Sequence, residues 1–342
     1  MLSSNILIII SFSLGLFLSL WFIPIVRRIL IANKLVVTDM NKINYPKTPS
    51  MGGIGIVFAF IISINLITLS ELILQINYME LKILLPALLS ILMMSFVGFI
   101  DDILMFPFRP LKPILALFAS IPMITISYNN ISVIEFPFSN IEIHMGIFYS
   151  LLIVPLIIVF CSNVFNVMAD FDGLSSGNGI IISTTLLICS IMSHKTTSAL
   201  IFSTLLGTLI ILYFYNKFPA KIFAGNIGTL FIGSIFAVGC LIGNLKYALF
   251  ITMIPYITHF MLQEIIIFKN KNILARPRER GIPQKDGSLQ SQYIKSYGLT
   301  HFFMLHINKI TEKKLVFYLI GLESIFCILA ILFHFQHLYL AN

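Results

Sequence analysis

Charge is scarce in this chain. Only 11% of its 342 residues are Asp, Glu, Lys or Arg, while 58% are hydrophobic and mean hydropathy is +0.97. That composition excludes an ordinary soluble domain. Cysteine is sparse too. Cys161, Cys189, Cys240 and Cys327 are scattered, mostly inside apolar runs, and no pair has metal-ligand spacing. A disulfide framework and a zinc module are therefore excluded, and the four read as small core residues. The histidines form no ligand pair, so none is assigned to a metal. No internal repeat and no low-complexity segment occurs. Nor is there a compact basic domain, and the formal charge of +8 does not imply nucleic-acid binding.

What is present is apolar length. Runs of about 17–25 apolar residues read as membrane-spanning helices. Ten occur, at roughly 5–30, 53–75, 83–104, 111–128, 146–165, 174–193, 197–215, 228–244, 246–268 and 315–338. The expected architecture is an all-α polytopic membrane protein with about ten transmembrane helices, one integral-membrane domain over 1–342. The first run is followed by Arg27 and Arg28 and has no basic residue before it, so it reads as a retained helix rather than a signal peptide. The loops after runs 1, 3, 5, 7 and 9, with their flanks, hold 19 of the 22 Lys and Arg; Lys82, Lys195 and Lys246 are on the other side. The positive-inside rule makes the rich side cytoplasmic and puts both termini outside.

The outer loops are short except for 129–145. There Ile131–Phe138 and Ile141–His144 flank Ser139-Asn140, a pattern that predicts a small external hairpin. The longest cytoplasmic loop, 269–314, lies between helices 9 and 10. Gln284-Lys-Asp-Gly-Ser288 within it predicts a tight turn. Residues 292–310 read as a segment along the membrane surface, with Tyr293, Tyr297, Phe302, Phe303 and Leu305 toward lipid.

The scarce polar residues collect where runs end. Asp101 and Asp102 close run 3. Two adjacent carboxylates repel, and a helix C-terminus disfavours anions, so the pair calls for a cation or a metal. Magnesium suits it, since that ion takes oxygen ligands and substrate phosphates. The bland alternative is a solvated helix end. Asn163, Asn166, Asp170 and Asp172 lie between runs 5 and 6. Asn163 and Asn166 share a helix face, and the group suits hydrogen bonding to a base or sugar plus one metal ligand. Plain helix capping competes with that reading. Asn226 stands between Gly225 and Gly228 at the start of run 8, with Lys221 nearby, where a helix N-terminus favours an anion; an ordinary cap is the alternative. Arg276, Arg278 and Arg280 can fork onto phosphate oxygens or simply mark the inside loop. Lys47 precedes a stretch of small residues that permits close approach of a substrate or of helices.

Four blocks then resemble a known family. They are Thr48-Pro-Ser-Met-Gly-Gly53, Gly98-Phe-Ile-Asp-Asp102, Asn163 to Leu174, and Pro219-Ala-Lys-Ile-Phe-Ala-Gly225. In order, and each at a predicted membrane boundary, they resemble the polyprenyl-phosphate N-acetylhexosamine-1-phosphate transferases (glycosyltransferase 4 type). Pro277–Pro283 followed by Asp286-Gly-Ser-Leu289 is similar to the archaeal and eukaryotic branch, which makes N-acetylglucosaminyl diphosphodolichol. The histidine-rich loop motif of the peptidoglycan branch is absent from this sequence.

The resemblance implies a role for each site residue. Asn166 and Asn226 match the metal positions, with Asp102 beside them. Asp101, Asp102 and Lys112 match the catalytic acidic pair and the lipid-phosphate lysine. Asn163 and Asp172 fall in the block that reads uridine, and Arg278 and Arg280 match the diphosphate and sugar arginines. Lys47 and Lys221 complete the expected substrate contacts. The implied cofactor is Mg2+, with Mn2+ as a substitute. The implied partners are UDP-GlcNAc, dolichyl or another polyprenyl phosphate and the lipid bilayer; a homodimer stays open. The family usually has aspartate where Asn226 stands, and Glu279 replaces a histidine of the eukaryotic branch. Competing readings are another UDP-N-acetylhexosamine or undecaprenyl phosphate as substrate, a scaffold inactivated at Asn226, and a transporter. The last predicts polar residues near mid-bilayer and an inverted repeat.

Overall fold

The computed structural model describes residues 4–75, 79–106, 111–130, 133–135, 142–270 and 280–341. Nearly all of it is helix. The long helices are α1 (Ser4–Ala32), α2 (Gly53–Leu74), α3 (Leu81–Leu104), α6 (Tyr149–Val167, opening with a π turn), α7 (Leu174–Met192), α8 (Thr196–Asn216), α9 (Gly225–Gly243), α10 (Lys246–Asn270) and α12 (Glu312–Ala341). Among the described residues these nine are long and apolar enough to cross a membrane. The chain is a polytopic membrane protein.

The fourth apolar run is helical in two pieces, α4 (Leu111–Ala119) and α5 (Ile121–Asn130). Pro122 explains the break, because it has no N–H to donate to the preceding turn. Met123 N–H turns to the Ser120 carbonyl instead. The freed Ala119 carbonyl takes the Ser90 hydroxyl of α3 at 2.7 Å. Inside a bilayer such a carbonyl needs a partner from a neighbouring helix.

Small residues bring the helices together. Ser11, Gly15 and Ser19 recur every four residues on the buried face of α1. Helix α1 packs on Ser203, Thr204 and Gly207 of α8, where the Ser11 and Ser203 hydroxyls are hydrogen-bonded. A Cβ on Gly15 would lie 2.5 Å from the Thr204 carbonyl oxygen. With no hydrophobic drive between helices in lipid, close backbone approach of this kind supplies the packing. Helix α9 is the central element, 83% of its most apolar window being buried against 28% for α1.

Among the described residues three short hairpins decorate the bundle. β1 (Val36–Thr38) pairs with β2 (Lys47–Pro49), Thr38 opposite Lys47. β3 (Val133–Glu135) pairs with β4 (Glu142–His144), which is the hairpin expected in the long outer loop. β5 (Ile282–Pro283) pairs with β6 (Leu289–Gln290) around the Gln284–Ser288 turn, with Gly287 at φ +81° as Asp-Gly predicted. The surface segment of the last loop contains α11 (Leu299–His306).

Polar contacts also lie within the bundle. Asn178 of α7 donates to the Tyr256 hydroxyl of α10 at 2.9 Å. Glu323 of α12, fully buried, accepts from Cys327 Sγ at 3.7 Å.

Candidate active site

The ends of α3 and α9 meet backbone to backbone. A Cβ on Gly98 would stand 2.5 Å from the Asn226 carbonyl oxygen, and one on Gly225 would stand 2.6 Å from Asp102 Oδ2. Gly225 also needs glycine for its φ of +71°. This contact sets Asp102 over the first turn of α9. Its Oδ1 accepts the Asn226 N–H (2.9 Å) and the Asn226 side-chain amide (3.0 Å), and Oδ2 accepts the Ile227 N–H (3.0 Å). The carboxylate thus caps a helix N-terminus 124 residues away, the favourable end of the dipole for an anion. Its position at the unfavourable end of α3 is thereby resolved.

Lys112 completes the junction. Its Nζ stands 2.9 Å from Asp101 Oδ2 and donates to Asn226 Oδ1 at 2.8 Å. Asp101 Oδ1 accepts the Phe106 N–H at 3.2 Å. Across α9, Thr229 donates to Asn166 Oδ1 at 2.5 Å. One lysine therefore links Asp101 directly and Asp102 through Asn226.

All of these side chains except that of Lys112 line a cavity of about 870 Å³. Asp101, Asp102, Asn166, Asn226 and Arg280 all line it. Segments distant in sequence, following α1, α3, α6, α8 and α10, meet there, so their loops share one membrane face. Arg280 is held through its backbone: its carbonyl accepts the Gln292 amide (3.0 Å), and the next N–H, of Gly281, donates to Asn41 Oδ1 (3.1 Å). Arg278 lies outside the described residues, as do Arg276 and Glu279.

The other expected contacts stand apart from the cavity wall. Lys47 is exposed on β2. Lys221 is exposed, and its backbone ties the α8–α9 loop to Tyr215 and to Arg27 Nε. The Asn163 amide donates to Val159 O on its own helix. Asp172 is buried one shell behind the wall. Its Oδ2 accepts Lys42 Nζ (2.5 Å) and the Ala220 N–H (2.7 Å), and its own N–H donates to Glu312 Oε1 (2.9 Å). Lys42 also pairs with Asp39 and stands 3.9 Å from Glu312 Oε2. Burial pushes the Asp172 carboxyl above its ordinary value. Burial also opposes the Lys42 charge, but hydrogen bonds to Asp172 and Asp39 and the Glu312 charge outweigh it and hold Lys42 above its ordinary value.

Sequence reasoning passed over this second cluster. Asp39, Asn41, Lys42, Glu312 and Thr229 were not singled out. The run Thr38-Asp-Met-Asn-Lys42 was the available signal, as the densest polar stretch after α1. Glu312 gave none, since an acid in the first turn of a helix is ordinary.

The cavity's donor set fits a hard cation. The amide oxygens of Asn166 and Asn226 each accept one hydrogen bond and keep a second lone pair. Asp102 adds one negative charge. Magnesium binds with one or two carboxylates when substrate phosphates supply the rest. Among the described residues no three His, Cys, Asp or Glu side chains are placed to hold a metal ion, so a metal here depends on the two asparagines.

Comparison with known proteins shows the family. Residues 84–244 match Glycosyl transferase family 4. A protein of Saccharolobus solfataricus, provisionally named a UDP-N-acetylglucosamine–dolichyl-phosphate N-acetylglucosaminephosphotransferase, is 32% identical over 328 residues, 95% of each chain. A protein of Dictyostelium discoideum with that activity in its name is 27% identical over 96% of this chain and 88% of its own. A phospho-N-acetylmuramoyl-pentapeptide-transferase of Clostridium botulinum is 31% identical over 72% of this chain and 75% of its own.

Proposed function

Because the chain belongs to glycosyl transferase family 4, whose members are polyprenyl-phosphate sugar-1-phosphate transferases, we propose that its donor is UDP-GlcNAc and its acceptor dolichyl phosphate. The reaction transfers N-acetylglucosamine 1-phosphate, releases UMP and begins a lipid-linked oligosaccharide for N-glycosylation. The observation that carries this reading is the shared wall: Asp101, Asp102, Asn166, Asn226 and Arg280 line one cavity at a membrane face. The face is assigned to the cytoplasm by the 19 Lys and Arg of its loops.

The roles follow from charge and reach. Asn166, Asn226 and Asp102 would hold Mg2+, which neutralises charge on the donor's diphosphate when bound. Lys112 presents a cation at the junction, aimed by Asp101. Arg280, with Arg278 beside it in sequence, supplies guanidinium donors for phosphate oxygens. An oxygen of the lipid phosphate attacks the β-phosphorus. The bond from that phosphorus to the bridging oxygen breaks, and the oxygen leaves on UMP. A phosphate monoester with a second pKa of about 6 is already largely deprotonated at neutral pH. Asp101 is committed to Lys112 and the Phe106 N–H, so its role is orientation rather than proton removal. Positioning and electrostatics then supply most of the acceleration. Asp172 and Asn163 support the nucleoside side from behind the wall, and Lys47 and Lys221 add positive charge at the rim.

The test uses membranes carrying the protein, labelled UDP-GlcNAc, dolichyl phosphate and magnesium. Formation of a pyrophosphate-linked GlcNAc lipid with stoichiometric UMP is expected. Parallel arms with UDP-N-acetylmuramoyl-pentapeptide and with undecaprenyl phosphate check the alternatives. Product only in one of those arms would reassign the substrate, and UMP release in none would reject the activity.

A further inference from the structure

Helix α11 lies deeper than a loop element at a membrane face should. Two contacts mark its depth. At its entry, Leu299 N–H donates to His259 Nδ1 of α10 at 3.1 Å. His259 is eleven residues before Asn270, where α10 ends, or about 16 Å along the axis. Farther on, Phe303 stacks on Tyr318 of α12, with centroids 5.8 Å and planes 11° apart. Tyr318 is six residues past Glu312, where α12 begins, about 9 Å from that end. Both contacts thus set α11 against the bodies of α10 and α12 rather than beyond their ends.

The approach to α10 is built in. A Cβ on Gly298 would lie 2.7 Å from His259 Cε1, so any side chain there would push the entry of α11 outward. The inward face of α11, with Thr300, His301 and Met304, is buried. Outward stand Phe302 at 44% exposure and, just before the helix, Ile294 at 97%. Single exposed apolar residues are commonplace. Here, however, they flank a helix packed against two membrane-spanning ones.

We propose that α11 is a re-entrant element whose outer face is covered by phospholipid acyl chains, and that this insertion sets the height of Arg280. The link to Arg280 is short. Gln292 holds the Arg280 carbonyl at 3.0 Å, and Ser291 Oγ is hydrogen-bonded to His301 Nδ1 of α11 at 3.0 Å. A Cβ on Gly281 would sit 3.0 Å from Met304 Sδ. The arginine strand therefore rests on the inserted helix. This link to catalysis rests on the function proposed above; the lipid contact does not.

The test is fluorescence quenching in vesicles. The chain has one tryptophan, Trp21, so a Trp21→Phe background gives one reporter per variant. Full-length Ile294→Trp, Phe302→Trp and Lys285→Trp proteins are reconstituted in phosphatidylcholine with plain or brominated acyl chains. Lys285 is exposed in the β5–β6 turn and serves as the aqueous control. Ile294→Trp and Phe302→Trp should lose most of their emission in brominated lipid, while Lys285→Trp keeps its own. Ile294 is almost wholly exposed, so its replacement tests the idea even if Phe302→Trp fails to fold. Unquenched emission at both sites overturns the proposal. Quenching that requires added polyprenyl phosphate assigns the face to the acceptor chain, and emission that follows protein-to-lipid ratio but not bromination assigns it to a second copy. Either also overturns it. No readout uses turnover, so the result is independent of the donor and acceptor.

Discussion

Two lysine–carboxylate clusters stand at the same membrane face and differ in what surrounds them. Around Lys112, two aspartates and Asn226 open onto the cavity. Around Lys42, three carboxylates, Asp39, Asp172 and Glu312, are almost sealed, with side chains 1–3% exposed. The first is an open site with lone pairs to spare. The second is a fastener joining the loop after α1, the α6–α7 loop and the start of α12. Charge pairing of one chemical kind thus faces a cavity in one place and locks segments together in the other, and solvent access separates the two.

Substitutions can break that distinction. The largest effect is expected for Asp101→Asn, which removes the partner that aims Lys112. UMP release should fall by about 10²–10³-fold with little change in thermal unfolding. Turnover near that of the unaltered protein would reject the role given to Asp101. Lys42→Met should do the reverse. It strands buried carboxylates without their cation, a loss of about 3–5 kcal/mol when a buried pair is broken, read as a lower unfolding temperature in detergent. Lys42→Arg should recover part of it. A Lys42→Met protein of unchanged stability but lost turnover would move Lys42 into the site and erase the contrast.

Asn226→Asp sharpens the open cluster. It adds a negative charge to the proposed metal set and removes the amide that donates to Asp102. The magnesium concentration for half-maximal turnover should fall, by about tenfold on the scale of such ligand changes. Unchanged magnesium dependence would place the ion elsewhere, and restored turnover from an inactive parent would show that Asn226 had silenced it.

The smallest effect is the pH limb of the sealed cluster. Lys42 is held above its ordinary value. A raised lysine stabilises the fold fully below its unfolded value of about 10.4 and loses that contribution as pH rises through the folded value. Stability should therefore be insensitive to this group at neutral pH and decline only in strong alkali. The alkaline decline should be shallower in Lys42→Met.

Much of this was legible from one dimension. The apolar runs predicted every long helix, because a lipid-spanning segment must be apolar along its whole length. The outer hairpin and the Asp-Gly turn were equally readable from local pattern. Asp101, Asp102, Asn166 and Asn226 stood out because polar groups are rare here. The break at Ser120 was not foreseen, since an apolar run conceals the missing N–H of Pro122. Asp172 illustrates the remaining difficulty. Its neighbours in sequence suggest a nucleoside contact, while its neighbours in space are Lys42 and Glu312, 130 and 140 residues away.

The amino-acid order alone determined which segments enter lipid and which polar residues stay at their ends, because the cost of burying charge in hydrocarbon acts on each segment separately. Tertiary structure decided which of those residues face a common cavity and which lock against each other. That choice depends on helix ends meeting at glycines such as Gly98 and Gly225, and a contact between distant segments leaves no periodic trace in either one.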